Sequence, residues 1–434
     1  MTLRLPASLA DQQPGTGRLA LVGGRLFDGT GAPVRDRVTV LLRDGRVDQV
    51  IDAEQGLPAD LPADLQQVDL AGRFLMPGLV DVHAHLSILE SAGRFPRPEH
   101  GAEPLYPGIA GHVVAQTLQR CVRMGVTTVR DVGAYGDTVL EARQAMRYGV
   151  FAGPRLYACG RVVAATSPGA RFFDGMYREA DGPDDMRRAV REQLRRGADF
   201  IKFMTTGARS VEIEDPDPAQ VTRPEIQAAV DEAHRQGYRV AAHCEGLAGT
   251  ELAVEAGVDT VEHGMYLNRR TDLLARMAQR GQVLVPTLSF LHLVAEDGTW
   301  TPELIEQGKF NLDQAHRTLE AARAEGVTIA LGQDGPEVER AGAELVRLVE
   351  HGMPAADALR AATLGGATAL GGDDLFGSVR PGRWADLVVV DGDPLQHPEV
   401  LLDADRIRLV LRNGRIVAGA DLEVPSPLTD GRST

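Results

Sequence analysis

Short apolar segments alternate with amphipathic helical patterns from Gly78 to about Gly372, and this alternation constrains the fold more than any other feature of the sequence. The eight segments that we predict to be strands are Leu79–His85, Val126–Asp131, Arg155–Cys159, Asp199–Met204, Tyr238–His243, Asp259–His263, Val283–Leu288 and Thr328–Asp334. Glycines stand where the intervening helices should end, at Gly125, Gly197, Gly237 and Gly257. Eight such units predict an α/β fold, a TIM (β/α)8 barrel over residues 78–372. A flavodoxin-like open sheet would need a reversal of strand order and rarely contains so many similar units.

Both ends of the chain show a different pattern, with short strands and turns typical of hairpins, such as Asp44-Gly45 and Asn413-Gly414. Because two β-rich ends flank a different middle, we expect residues 1–77 and 373–434 to form one small composite β-sandwich domain. A Pro- and Gly-rich run after the first barrel strand, Phe95–Pro107, is interpreted as a lid.

Composition limits the classes of partner. The 434 residues carry a net charge of −15, which argues against a nucleic acid or an anionic membrane as partner. The three cysteines are scattered, which argues against a disulfide framework. The N-terminus has no apolar core of signal-peptide length and no apolar run is long enough to cross a bilayer, so we expect a cytoplasmic protein.

Chemistry in a barrel lies at the carboxyl ends of the strands, and those ends carry the polar residues of interest. Strand residues alternate between faces, so His83 and His85 point the same way and can bind one divalent metal. The other strand-end candidates are Lys202, His243, His263 and Asp334.

Each of these residues has an ordinary structural explanation when it is taken alone. His243 could be a core histidine, Asp334 a helix cap, and Lys202 a rim lysine. Their convergence on one face of one barrel favours a metal site over three separate explanations.

Four phrases of the chain resemble the amidohydrolase superfamily, in its imidazolonepropionase-like and prolidase-like branch. They are Met76-Pro-Gly-Leu-Val-Asp-Val-His-Ala-His, Gly197-Ala-Asp-Phe-Ile-Lys, Val261-Glu-His-Gly and Ala330-Leu-Gly-Gln-Asp-Gly. The resemblance covers nearly the whole chain. Imidazolonepropionase itself has one metal and no bridging lysine, so a lysine in an apolar strand favours the two-metal, prolidase-like type (the Xaa-Pro dipeptidase type).

The resemblance implies two divalent metal ions, with Zn2+ as the default and Co2+ or Mn2+ fitting the same ligands. His83, His85 and Asp334 would hold one ion, and His243 and His263 the other. Lys202 would bridge them as N6-carboxylysine. A lysine in apolar surroundings has a lowered pKa and can react with CO2 when neutral, so the sequence permits this modification.

We expect Asp334, Lys202 and His263 to act in catalysis. Asp334 would take the proton of a metal-bridging hydroxide and later deliver it to the leaving nitrogen.

The loops depart from the relatives we compare. Ala165–Phe172 stands where a Gly-Gly-His-Gly run is common, and Glu245 stands where a tyrosine is common. We predict substrate contacts from Arg171, which could bind a carboxylate or lie on the surface, and from Tyr266 and His292. Arg130 and Asp131 are predicted to pair beneath the site.

The leading functional hypothesis is hydrolysis of an amide or peptide-like C–N bond in an N-acyl amino acid or a dipeptide. One alternative keeps the fold and changes the bond to that of a cyclic amide, carbamate or ester, or to ring deamination. Another is a catalytically silent barrel that acts as a binding protein. The expected partner is a small-molecule amide or peptide substrate, and a homo-oligomer is compatible with the resemblance.

Overall fold

The structure is a computed structural model that describes residues 15, 17–55, 65–87, 107–209, 214–296, 298, 300–335 and 338–419. The predicted lid, Phe95–Pro107, lies outside the described residues except for its last position, where a helix begins. The fold is a mixed α/β architecture with one sheet built from both ends of the chain and two parallel sheets in the middle.

The strands are numbered in chain order. They are β1 Arg18–Leu26, β2 Arg35–Arg43, β3 Arg46–Ile51, β4 Gln66–Asp69, β5 Phe74–Pro77, β6 Leu79–Ala84, β7 Val126–Asp131, β8 Arg155–Ala158, β9 Val162–Ala164, β10 Tyr177–Glu179, β11 Ile201–Met204, β12 Val240–Cys244, β13 Thr260–His263, β14 Val283–Val285, β15 Thr328–Ile329, β16 Leu387–Val390, β17 Ile407–Arg412 and β18 Arg415–Ala418.

The helices are numbered in the same way. They are α1 Pro107–Arg123, α2 Thr138–Arg147, α3 Pro183–Arg196, α4 Arg223–Arg235, α5 Leu247–Ala256, α6 Thr271–Arg280, α7 Leu288–Glu296, α8 Pro302–Ala324, α9 Ala341–Glu350, α10 Ala355–Arg360 and α11 Gly366–Ala369. A π-helical turn, Ala361–Gly365, joins the last two.

Strands from both ends of the chain share one sheet, in the order β18-β17-β16-β5-β1-β2-β3, with β4 parallel to β1. Its hairpins turn where the sequence predicts, because Asp44 and Asn413 adopt positive φ angles of 49° and 47° and each precedes a glycine. One face packs its own apolar cluster, which includes Leu21, Val40 and Leu387. Whether this sheet is a separate domain with the predicted boundaries stays a prediction.

Each of the eight predicted middle strands has a counterpart in the two parallel sheets, β6-β7-β8 and β10-β9-β11-β12-β13-β14-β15. The short strands β9 and β10 are additional, and three residues are too few for a periodic signal. The two sheets are linked by backbone bonds, from Asp199 N to Ala158 O (2.8 Å) and from Val82 N to Leu331 O (2.9 Å). The second of these hydrogen bonds places the segment that follows β15 beside β6.

Helix boundaries follow local signals that the sequence carries. α4 begins with a capping box, in which the side chains of Thr222 and Glu225 each accept a hydrogen bond from the backbone of the other residue. Thr222 N donates to Glu225 Oε2 at 2.7 Å. α3 and α5 end at glycines in the left-handed region, Gly197 (φ 100°) and Gly257 (φ 84°). No helix among the described residues is both long enough and apolar enough to cross a membrane.

Candidate metal centre

The structure brings the predicted ligands of the first metal together. His83 lies on β6, His85 follows that strand, and Asp334 follows β15. Asp334 Oδ1 lies 3.4 Å from His83 Nε2 and 3.6 Å from His85 Nε2. The backbone contributes directly, because Asp334 N donates to His83 O at 2.9 Å. Three ligand-type atoms therefore face one point at the end of the first and last strands.

The predicted ligands of the second metal lie beside the first set. His243 Nδ1 is 3.0 Å from His263 Nε2, and the ring centres of His83 and His263 are 5.0 Å apart. Ligand atoms of His83, His263 and Asp334 fall within 4.8 Å of one another, and so do those of His243, Glu245 and His263. The two groups share His263, so they form one continuous cluster.

Lys202 is buried on β11, on the face that carries the histidines. Its register partner on β12 is Ala241, which has the same orientation as His243 two residues later. Burial lowers the pKa of the Lys202 ammonium, against the attraction of Glu262 and Asp334. This lysine is therefore adjacent to both ligand groups and is biased towards its neutral form.

Hydrogen-bond partners outside the cluster determine which ring nitrogen of each histidine faces the cluster. His83 Nδ1 contacts Glu262 Oε2 (2.7 Å) and His85 Nδ1 contacts Gly133 O (3.1 Å), so both rings present Nε2 to Asp334. His243 is reversed: its Nε2 faces Gly207 O (3.2 Å) and its Nδ1 faces His263. A hydrogen-bonded outer nitrogen and an inward lone pair are the arrangement of metal-binding imidazoles.

Sequence reasoning missed the role of Glu262. Its Oε1 accepts a hydrogen bond from Arg130 Nη2 at 2.8 Å, and Thr260 Oγ1 donates to the same oxygen. The predicted Arg130–Asp131 pair is wrong, because neighbouring strand residues point to opposite faces. Asp131 instead accepts from Leu86 N at 2.7 Å. A carboxylate inside the apolar strand Val261-Glu262-His263 is the signal that could have identified this partner.

Three residues at the ends of successive strands adopt left-handed backbone angles although none is glycine. They are His263 (φ 68°), Thr287 (φ 51°) and Asp334 (φ 49°). Such angles are costly, most of all for a β-branched residue, and they concentrate at functional sites. Thr287 Oγ1 also contacts His263 Nδ1 at 2.7 Å, so the strained turn positions a ligand.

Burial sets the charge of the cluster. Together with the nearby Lys202, burial lowers the pKa of His85 to about 4 and that of His243 to about 3. Burial also raises the pKa of Asp334 well above its ordinary value, while Lys202 opposes that shift. Neutral imidazoles are the form that binds metals, and a divalent cation would restore the Asp334 carboxylate. The donor set therefore fits a metal centre.

A small cavity that is partly open to solvent adjoins the cluster at Glu245. Its lining includes two charged residues and a mostly apolar wall: Arg209, Glu245, Met265, Phe290, Leu291, Val294, Trp300, Leu304, Gln307, Gly308 and Asn311. Glu245 joins the cavity to the cluster, with its Oε1 3.7 Å from His243 Nε2. The cavity therefore lies on the side of His243 that carries Nε2.

Arg209 is a second residue that sequence reasoning missed. Its guanidinium lies 5.0 Å above the ring of Tyr266, and its Nε is buried without a hydrogen-bond partner among the described residues. The Nε atom is 3.8 Å from Glu245 Oε2. The position of Arg209 five residues beyond β11 is a weak signal, since it places the residue in a βα-loop.

The predicted substrate contacts fall in three different places. Tyr266 is buried behind Arg209 and donates to Asn311 Oδ1 at 3.2 Å, so it supports the cavity wall. Arg171 is exposed on the short helix Ala170–Phe173 and is absent from the cavity lining. His292 contacts Glu296 and His351, so the structure does not bring it to the cavity. Substrate roles for Arg171 and His292 stay predictions without a supporting contact.

Comparison with known proteins places these features in a family. The sequence model of the Amidohydrolase family matches residues 74–417. The chain is 29% identical over 431 residues to an ochratoxinase of Aspergillus niger, covering 92% of this chain and 86% of that protein. It is 28% identical over 424 residues to an imidazolonepropionase of Salinispora arenicola, covering 88% and 92%. A crystal structure of a Xaa-Pro dipeptidase with bound methionine in the active site superposes with a TM-score of 0.82 at 28% identity, covering 92% and 99%.

A cluster of histidines and a carboxylate at the ends of parallel strands is typical of hydrolases that act on small molecules. This chain belongs to the amidohydrolase family. It is an enzyme, a hydrolase that acts on carbon–nitrogen bonds.

Proposed function

We propose that the chain is a binuclear metal-dependent amidohydrolase that cleaves the amide bond of an N-acyl amino acid or a dipeptide. Its parallel strands would close into a (β/α)8 barrel, with residues 1–77 and 373–434 as a composite β-sandwich domain. The observation that carries the proposal is the continuous cluster of His83, His85, His243, His263 and Asp334, with Lys202 buried on the neighbouring strand.

In this proposal His83, His85 and Asp334 hold one divalent ion, and His243 and His263 hold the other. Lys202, as N6-carboxylysine, would supply a ligand to both ions. Zn2+ is the default ion, and Co2+ or Mn2+ fit the same donors. When bound, the ions supply a water nucleophile at neutral pH and polarise the scissile carbonyl.

Asp334 is the residue that moves the proton. Its carboxylate lies between the imidazoles of His83, His85 and His263, at 3.4 to 3.8 Å. It takes a proton from the attacking water and delivers it to the leaving nitrogen, so that the amine leaves neutral and the carboxylate is regenerated. His263 stays neutral, and Thr287 fixes its ring. No covalent intermediate with the protein is needed.

Substrate binding falls to the cavity beside the cluster. The apolar wall with Phe290, Leu291 and Trp300 suits an apolar side chain or ring. Arg209, whose buried Nε is without a hydrogen-bond partner among the described residues, suits the free carboxylate of an amino acid. Glu245 reduces the positive potential at this point. The resemblance to an ochratoxinase and to a Xaa-Pro dipeptidase supports a C–N bond as the bond that is cleaved.

The direct test is metal analysis combined with a substrate panel. The metal-loaded chain would be assayed against N-acyl amino acids, dipeptides, lactams and carbamates. We expect about two metal ions per chain and turnover of an acyl amino acid or a dipeptide, both lost in Lys202→Ala. One ion with an unmodified lysine would favour the imidazolonepropionase-like alternative. A chain that takes up no divalent metal would overturn both.

The expected partner is the small-molecule substrate. A homo-oligomer and a cytoplasmic location remain predictions from the sequence.

A further inference from the structure

Three histidines from three successive helical segments meet outside the proposed catalytic centre. His292 lies on α7, His316 on α8, and His351 directly follows α9. The Nε2 atoms of His292 and His351 are 2.9 Å apart, with their rings at 79°. The ring of His316 is centred 5.4 Å from that of His351. The three imidazoles therefore converge on His351.

This histidine cluster is separate from the cavity. On α7, Phe290, Leu291 and Val294 line the cavity, and His292 does not. At about 100° per residue, His292 falls on the opposite side of the helix from those three. The helix therefore presents one face to the cavity and the other to the histidine cluster.

A carboxylate fixes the orientation of His292. Its Nδ1 is 2.7 Å from Glu296 Oε1, and Glu296 Oε2 accepts from Arg347 Nη2 at 3.1 Å. With Nδ1–H donating to Glu296, Nε2 of His292 carries a lone pair that faces His351. Carboxylate, imidazole and an inward-facing lone pair are the outer-shell arrangement that orients metal-binding histidines.

A hydrogen bond between His292 and His351 would explain two of the three imidazoles. That hydrogen bond would not explain why His316 lies beside them. Two nitrogens bound to one tetrahedral zinc ion are about 3.3 Å apart, which is a few tenths of an ångström beyond the observed 2.9 Å separation. An ion seated between them would need His316, whose ring centre is 5.4 Å from that of His351, to turn its imidazole inwards as the third ligand.

We propose that His292, His316 and His351 form a second metal site for a borderline divalent transition ion such as Zn2+. Imidazole ligands select this class of ion over Mg2+ or Ca2+. The ion would tie α7 to α8 and α9, and so would hold the helix that walls the cavity. This inference does not depend on the proposed reaction.

The test measures Zn2+ content by equilibrium dialysis of the untagged full-length chain. We expect His351→Gln and His316→Gln each to lower the content by about one ion per chain, with the catalytic ions retained. Glu296→Gln, which leaves all three ligands, should weaken the extra site about tenfold. His397→Gln is the matched control, because His397 also contacts a glutamate, Glu399 at 3.2 Å, and is exposed.

Identical Zn2+ content and affinity in the native chain, His351→Gln and His316→Gln would overturn the proposal and leave a hydrogen bond between two histidines. If His351→Gln does not fold, Glu296→Gln and His316→Gln decide the matter in the same way. A chain that binds ions only at this cluster would contradict the proposed function and would leave this inference standing.

Discussion

At the scale of single residues, the metal centre is held by partners that never touch a metal. Glu262 illustrates this, since it contacts His83 and is itself paired with Arg130 inside the protein. The pairing with Arg130 gives the buried Glu262 carboxylate a partner, and the contact with Nδ1 holds the His83 ring with Nε2 inwards. Metal affinity at the centre therefore depends on residues that contact the ligands and not the metal.

Removing the charge of Glu262 tests this layer. Glu262→Gln should weaken metal binding at the centre by about 10- to 100-fold, because the imidazole loses its anionic partner. Metal titration followed by calorimetry measures the effect. Asp259→Asn is a suitable control, because Asp259 also contacts a histidine, His234, at 2.8 Å. That pair lies outside the centre. Equal metal affinities for the native chain and Glu262→Gln would contradict this account.

Arg209 and Glu245 should have opposite effects on substrate binding. Arg209→Gln should raise KM for an N-acyl amino acid by about tenfold or more, because a charged hydrogen bond is lost. Glu245→Gln should lower KM for the same substrate, because a competing negative charge is removed. Neither change should alter KM much for the corresponding amide, which lacks the carboxylate. If KM for acid and amide shifts equally, Arg209 does not bind the carboxylate.

The predictability of these residues differs for a physical reason. The proposed ligands could be predicted because strand alternation fixes which side chains share a face and parallel strands place their ends together. Arg209 could not, and Arg171 was chosen instead, because loop conformations have no period that a sequence reveals. Glu262 lay within a predicted strand, but its partner Arg130 is more than a hundred residues away.

At the scale of elements, α7 connects three features of the molecule. Its first backbone N–H groups, of Leu288 and Ser289, donate to the buried Glu344 carboxylate of α9 at 2.8 and 2.6 Å. One of its faces lines the cavity and the other carries His292. The predicted strand Val283–Leu288 was too long because Thr287 turns the chain and this distant cap starts a helix. A tertiary contact of this kind is invisible in a local pattern.

The Glu344 cap should make stability depend on pH. Burial raises the pKa of Glu344 to about 7, so between about pH 4.5 and 7 the folded state binds more protons than the unfolded state. The stability contributed by this group is therefore lost as pH rises through that window. Thermal unfolding of Glu344→Gln should show a flatter dependence of Tm on pH there than the native chain. Parallel curves would mean that the carboxyl titrates normally.

The predicted strand Thr328–Asp334 was also too long, for a related reason. The structure ends β15 at Ile329, and Asp334 adopts a positive φ. Between them, a Cβ on Gly332 would lie 2.5 Å from the Cβ of His83. This close approach lets the segment run beside β6 and deliver Asp334 to the histidines.

At the scale of the whole molecule, one buried arginine joins the parallel strands to the sheet formed by the chain ends. Arg155 on β8 donates to Asp386 Oδ2 at 2.6 Å and to Asn413 Oδ1 at 2.7 Å. Its guanidinium also lies over the rings of Phe376 (4.8 Å) and Trp384 (4.4 Å). This one side chain therefore connects β8 to four residues of the C-terminal segment.

Removing this arginine should destabilise the protein strongly. Arg155→Met leaves Asp386 buried and unpaired, which costs on the order of 3–5 kcal/mol. Urea unfolding measures the loss. Arg187→Ala is the control, because its partner Asp184 is fully exposed, and it should change stability by less than about 0.5 kcal/mol. Similar stabilities for the two variants would show that Arg155 does not hold the two parts together.

Almost every basic residue of the chain is an arginine. Of the 46 lysines and arginines, only Lys202 and Lys309 are lysines. Lys202 is buried beside the proposed ligands, whereas Lys309 is exposed on α8 and paired with Glu306 at 2.7 Å. Arginine cannot be carboxylated in the same way, because it stays charged. The two lysines therefore form a natural test and control.

The most direct measurement is 13C NMR of the metal-loaded chain equilibrated with 13C-bicarbonate. The account predicts a carbamate resonance in the native chain and in Lys309→Gln, and its loss in Lys202→Gln. A metal-loaded chain without a carbamate resonance, or one that keeps the resonance in Lys202→Gln, would contradict the proposed bridge between two metals.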